Sequence, residues 1–168
     1  NQCAGARSIE NKDNSFVHPY GMFYEEITAS SLVKINKEGK AIENDNPWLN
    51  DGCNNLAKWI FNARQDVNFY VHGHANDVMA VGGTKEGLMY LSQAAVYLNH
   101  LIGYVDYEFV EDKDYGNKFM SLIKQHDILI TRNHGYYTVG KTASEAFFRA
   151  YYLEPVSYTH LRAHETKS

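Results

Sequence analysis

No stretch of this 168-residue chain approaches the roughly 18 consecutive apolar residues that a membrane-crossing helix requires, which excludes a helical span. Cysteine is scarce. Cys3 and Cys53 alone cannot build a disulfide framework, and a reducing compartment, the cytoplasm, is the expected location. Clustered positive charge is missing too. Lys and Arg are scattered and the formal charge is −4, so the electrostatic footprint of a nucleic-acid binder or of a protein that sits on anionic lipid is absent. No signal peptide opens the chain, which starts at Asn1 and reads as part of a longer protein. There is no internal repeat, low-complexity segment or visible domain boundary. What remains is one globular domain with an apolar share of 44%, long enough to bury an adequate core.

The pattern predicts alternating strands and helices. Residues 14–19 read as extended, with Gly21 as a turn, and Thr28 begins a short helical turn. Val33–Asn36 and Lys40–Ile42 form a hairpin turning at "KEG", and 44–52 is loop by composition. Leu56, Trp59, Ile60 and Ala63 fall at i, i+3, i+4, i+7, a helix capped by Asn54 or Asn55. A strand follows in "DVNFYVH", then a short helix in "ANDVMAV" stopped by Gly82 and Gly83. Residues 88–99 are ambiguous, and "LIGYVDYEFV" favours extended structure. Asp112 or Asp114 starts a helix with Phe119, Leu122 and Ile123 inward, and 127–132 is a strand broken by "NHG" before "YYTVG" continues. Thr142 to Glu145 has capping-box spacing, and Ala146, Phe147, Ala150 and Tyr151 form one helical face behind it. The mix of alternation and hairpins points to a helix-flanked sheet with antiparallel pairs.

"VHGHA", residues 71–75, carries the chemistry. Residues i and i+2 of a strand face the same side, so His72 and His74 aim together, with Gly73 leaving room between them. Each neutral imidazole offers one lone pair, the usual zinc donor. His134, after a buried-looking strand and before Gly135, is the candidate third donor. Three protein ligands leave coordination positions open, as in a catalytic metal site. His18, His100 and His126 are read as structural. The C-terminal "VSYTHLRAHET" resembles a translated sequencing adapter, so 155–168 is read as a non-native tail and His160 and His164 are set aside.

Together "PYGMFYEEITASSLVKINKEGK", "RQDVNFYVHGHA" and "DILITRNHGYYTVGKTASEAFFRAYYLE" resemble the class II aldolase/adducin family, across residues 1–154 and with both ends of the family pattern missing. The resemblance implies an α/β fold, a three-layer α/β/α sandwich around a mainly antiparallel sheet. It implies a divalent cation, usually zinc, on His72, His74 and His134. It also implies tetramers and enzymes that cleave or rearrange small hydroxycarbonyl compounds, usually phosphorylated.

The departures from the family pattern are specific. The family's sugar-phosphate aldolases hold an acid/base glutamate upstream of the first metal histidine; counted back from His72, that position is Cys53. Their two phosphate-binding serines become Asp51 and Gly52, and the threonine before the turn glycine becomes Tyr20. Gly21 and Ser8 match substrate-binding positions, whereas Ala6 replaces an asparagine. These losses and "NPW" at 46–48 lean toward the adducin-like branch. Two readings follow. One is an aldehyde-lyase-like enzyme in which Cys53, Tyr20, Asp51 or a group from a neighbouring subunit moves the proton; the other is a non-catalytic assembly domain with cytoskeletal partners.

Overall fold

Aromatic and β-branched residues dominate the segments that become strands, and their alternation decides which layer each side chain enters. The computed structural model describes residues 2–42, 49, 51–108 and 113–165. The strands are β1 (Cys3–Arg7), β2 (Ser15–Val17), β3 (Val33–Ile35), β4 (Phe69–Gly73), β5 (Ile102–Asp106), β6 (Ile128–Arg132) and β7 (Gly135–Gly140). They form one sheet in the order β3-β2-β1-β4-β7-β6-β5. Every neighbouring pair is antiparallel except β5–β6, which is parallel. The helix α4 (Lys113–Ile123) makes the crossover that a parallel pair requires. The sheet is therefore mainly antiparallel, as expected.

Helices cover both faces. α1 (Asp51–Ala63) and α4 pack on one side with Leu56, Trp59, Ile60, Phe119 and Ile123 against Tyr70, Leu129, Tyr137 and Val139. On the other side α2 (Asn76–Gly83), α3 (Gln93–Asn99) and α5 (Ala143–Glu165) bring Val78, Val81, Leu98 and Leu153 onto Ile128, Ile130 and Tyr136. β7 is buried along its whole length, as a central strand covered on both faces must be. No described helix is long and apolar enough to cross a membrane.

Several local expectations change. α1 begins at Asp51, inside the expected 44–52 loop, of which 44–48 and 50 lie outside the described residues. Asn54, expected as a cap, is a buried helical residue instead. Gly82 and Gly83 belong to α2 rather than stopping it; a side chain at Gly82 would meet Ile130 at 2.7 Å, so close packing requires glycine there. The return arm of the hairpin is a single bridge, Ile35 to Ala41, around Gly39 at φ 82°. The ambiguous 88–99 segment contains α3, whose Ser92 side chain accepts from the Ala95 N–H. In α5, Ala146 and Ala150 face inward with Leu153, but Phe147 and Tyr151 point outward, each 62% exposed. Paired aromatics on one helix mimic a core stripe in sequence, while here their tilted rings neighbour each other at 6.0 Å. α5 runs on through Pro155, burying Val156, Ser157 and His160, and His160 Nδ1 accepts from the Met89 N–H at 3.2 Å.

Candidate metal centre

β4 delivers His72 to the face covered by α1 and α4, His74 follows one residue beyond the strand end, and the β6–β7 turn brings His134 to both. That turn uses Asn133 in the left-handed region, at φ 60°, a conformation asparagine tolerates. One ligand atom from each of the three imidazoles lies within 4.8 Å of the others, and the Nε2 atoms of His72 and His74 are 3.0 Å apart. Tetrahedral zinc with Zn–N bonds near 2.0–2.1 Å separates its nitrogens by about 3.3 Å, so small ring movements admit the ion.

The protonation chemistry suits a cation. His72 Nδ1 lies 2.9 Å from the Tyr136 carbonyl and donates to it, which leaves Nε2 with its lone pair. Burial pushes His72 down to about 3, and burial with the neighbouring His74 pushes His134 down to about 4. Burial lowers His74 as well. All three rings are thus neutral donors near pH 7. Glycines make the convergence possible: a side chain at Gly135 would sit 2.5 Å from His74 Cδ2 and 2.6 Å from the Gly73 carbonyl, and one at Gly73 would sit 2.4 Å from the Tyr136 hydroxyl. Four rings form a near-parallel column. Tyr137 stacks on His72 at 4.3 Å, His72 on His134 at 5.4 Å, and Tyr107 on His134 at 4.5 Å, with interplanar angles of 8°, 14° and 13°. Tyr137 is the buried end and Tyr107 the exposed one.

The other candidate residues are only partly assembled. Cys53, Tyr20 and Gly21 line one cavity of about 530 Å3, with Gly21 at φ 87°. Cys3 is cross-strand partner to His72, and partners in an antiparallel pair share a face. The register carried one residue further sets Gln2, also in the cavity wall, level with Gly73, on the strand that carries His72. The Cys3 thiol hydrogen-bonds Cys53, lowering Cys53, while that bond and burial raise Cys3. Asp51 is exposed in the first turn of α1 and is not in the cavity wall. Ser8 is buried at the β1–β2 turn, where its N–H donates to the Asn14 carbonyl and its hydroxyl accepts from Asn11 at 3.5 Å. Five residues of strand, about 16 Å, separate it from Cys3.

His18 is the residue that sequence reasoning passed over. It lines the cavity, its Nδ1 accepts from the Ala4 N–H at 3.4 Å, and its ring lies 5.6 Å from Tyr24. Its only sequence signal was its place just before Pro19 and the turn at Gly21. His126 packs against Gly103, His100 ends α3, and Arg64 and Asp66 pair at 2.8 Å.

The chain has known relatives in sequence and in fold. The family model for the class II aldolase and adducin N-terminal domain matches residues 1–161. A Caulobacter vibrioides protein named for the class 2 aldolases is 34% identical over 139 residues, covering 82% of this chain and 54% of its own. Alpha-adducin of Rattus norvegicus is 33% identical over 146 residues, covering 84% of this chain and 20% of its own. An aldolase II superfamily structure from Pseudomonas syringae superposes with a TM-score of 0.92 at 25% identity, over 99% of this chain and 68% of that one. An L-fuculose 1-phosphate aldolase from Glaciozyma antarctica, at 23% identity and a TM-score of 0.86, shares the fold over 100% of this chain and 66% of its own. The chain thus spans about half the length of the bacterial relative and a fifth of the adducin. With three histidines gathered at the end of β4 on this sheet, and a family model matching nearly its whole length, the chain belongs to the class II aldolase and adducin N-terminal domain family.

Proposed function

We propose that this domain serves a divalent-metal-dependent lyase or isomerase acting on a small, sugar-like hydroxycarbonyl compound. The observation that carries the reading is the cluster of His72, His74 and His134, three neutral donors with converging nitrogens. These three residues would hold the ion, zinc by its ligand type, and leave coordination positions open for a substrate. A bound zinc ion would supply Lewis-acid polarisation of the carbonyl and stabilisation of an enediolate. Cys53 is our choice for the proton-moving group. It stands in the wall of the adjoining cavity, and the hydrogen bond from Cys3 favours its thiolate. Tyr20 shares that wall and is the alternative; Asp51, outside it, is the weaker candidate. We assign a homo-oligomer to the whole protein, a tetramer as the family resemblance implies.

A second reading has its own support. Alpha-adducin matches 84% of the chain, which makes a non-catalytic assembly domain with cytoskeletal partners the competing function. Elemental analysis of purified protein separates the two. We expect about one zinc per chain, lost when His72→Ala and His74→Ala are combined. Zinc near zero after dialysis against zinc-containing buffer would leave the assembly reading in place.

A further inference from the structure

We propose that the cavity beside the histidine cluster accepts an uncharged hydroxycarbonyl chain and discriminates against its phosphate ester. The inference rests on the metal-dependent reading above and specifies its substrate class.

The walls decide the charge. Tyr20, Phe23 and Tyr24 provide aromatic surface, and His18 and Gln2 provide hydrogen-bonding groups. Among the described residues of the wall, Glu25 is the one acidic or basic side chain besides the thiol, phenols and imidazole. His18 does not supply a cation: Nδ1 accepts from Ala4, so the proton sits on Nε2, and burial keeps the ring neutral. It therefore offers one N–H to a hydroxyl or carbonyl. A phosphate monoester carries nearly two negative charges and is held by cationic forks or by clustered backbone N–H groups. Here it would meet the Glu25 carboxylate. The start of α1, whose Cys53 is in the wall, carries Asp51 in its first turn, which offsets the positive helix end. A neutral polyhydroxy chain meets matched partners: donors and acceptors from Gln2, His18 and the tyrosine hydroxyls, and ring faces for its carbons.

The test uses the full chain loaded with zinc and two probes that grip a divalent cation alike, glycolohydroxamate and its phosphate ester phosphoglycolohydroxamate, titrated by calorimetry. The neutral probe is expected to bind about tenfold tighter, as one like charge across a partly wet cavity predicts. Glu25→Lys replaces that repulsion with attraction and should erase the tenfold ratio and turn it in favour of the ester, without changing zinc content. An ester that binds as tightly as the neutral probe, with one zinc per chain, overturns the charge selection and leaves the metal-dependent reading intact. A ratio unmoved by Glu25→Lys also overturns it. Zinc-loaded protein that binds neither probe sinks the metal-dependent reading, and this inference with it.

Discussion

Gly135 shows how tightly single residues constrain the centre. A methyl group there would collide with the His74 ring and with the Gly73 carbonyl, a backbone atom that cannot swing aside. Gly135→Ala is expected to leave the fold intact and to weaken zinc binding by about 10–100-fold, the usual effect of disturbing the support of a ligand. Competition with a chromophoric chelator measures it, and unchanged affinity would mean that the rings are less closely fitted than they look. The histidine cluster was legible in part, because residues two apart on a strand share a face and a histidine before glycine at a strand end is a candidate third, but its convergence needed the β4–β7 pairing. His18 was not, since a lone histidine says nothing about which nitrogen is bonded or what space it faces. Ser8 was misplaced for the opposite reason: matching a family position fixes a residue's identity, whereas strand register decides which end of the sheet it occupies.

At the scale of elements, the junction between α1 and β4 is held by charge. Arg64 donates to both oxygens of Asp66, at 2.8 and 2.9 Å, and to Asp127 at 2.9 Å. These bonds pull Asp66 down to about 2. A carboxyl whose folded value lies below its unfolded value near 3.9 stabilises the fold above that pH and loses the contribution as pH falls toward 2. Half of the Asp66 side chain is exposed, so solvent screening keeps the effect small. Thermal midpoints from pH 5 to 2 should fall more steeply for the parent than for Asp66→Asn; parallel curves would show that the pair adds nothing. Element order was readable wherever one face alone is apolar, as in α4 and β4. It failed where side-chain type misled. Asp-Gly at 51–52 resembles a loop yet opens α1, and the outward aromatics of α5 imitate a buried stripe.

At the scale of the molecule, the two buried layers meet on one sheet, and α5 extends the second of them past Glu154. Val156 is 5% exposed and packs with Leu153 and Ala150. Ending the chain after Glu154 would expose that apolar surface and leave the Met89 N–H without His160. The expected loss is about 2–3 kcal/mol, and a fall in melting temperature of roughly 4–10 °C. Differential scanning calorimetry of the two lengths checks it. An unchanged midpoint would mean that residues 155–168 add no stability, as the adapter reading of the tail expects. The three-layer form came from the family resemblance, and a helix-flanked sheet with antiparallel pairs was legible from the alternation of patterns. The strand order was not, because it depends on pairings between segments far apart in the chain, such as β1 with β4 and β4 with β7.

The pairing of β4 with β7 has a consequence for how the protein matures. His72 and His74 arrive with one strand, and His134 arrives with the turn that feeds the other. A chain caught before those strands zip together owns two donors and a loose third, too weak a grip to compete with a cellular chelator. Cation uptake should therefore come late, and the ion would act as a latch on a finished sheet, drawing the population toward it by mass action rather than guiding its assembly.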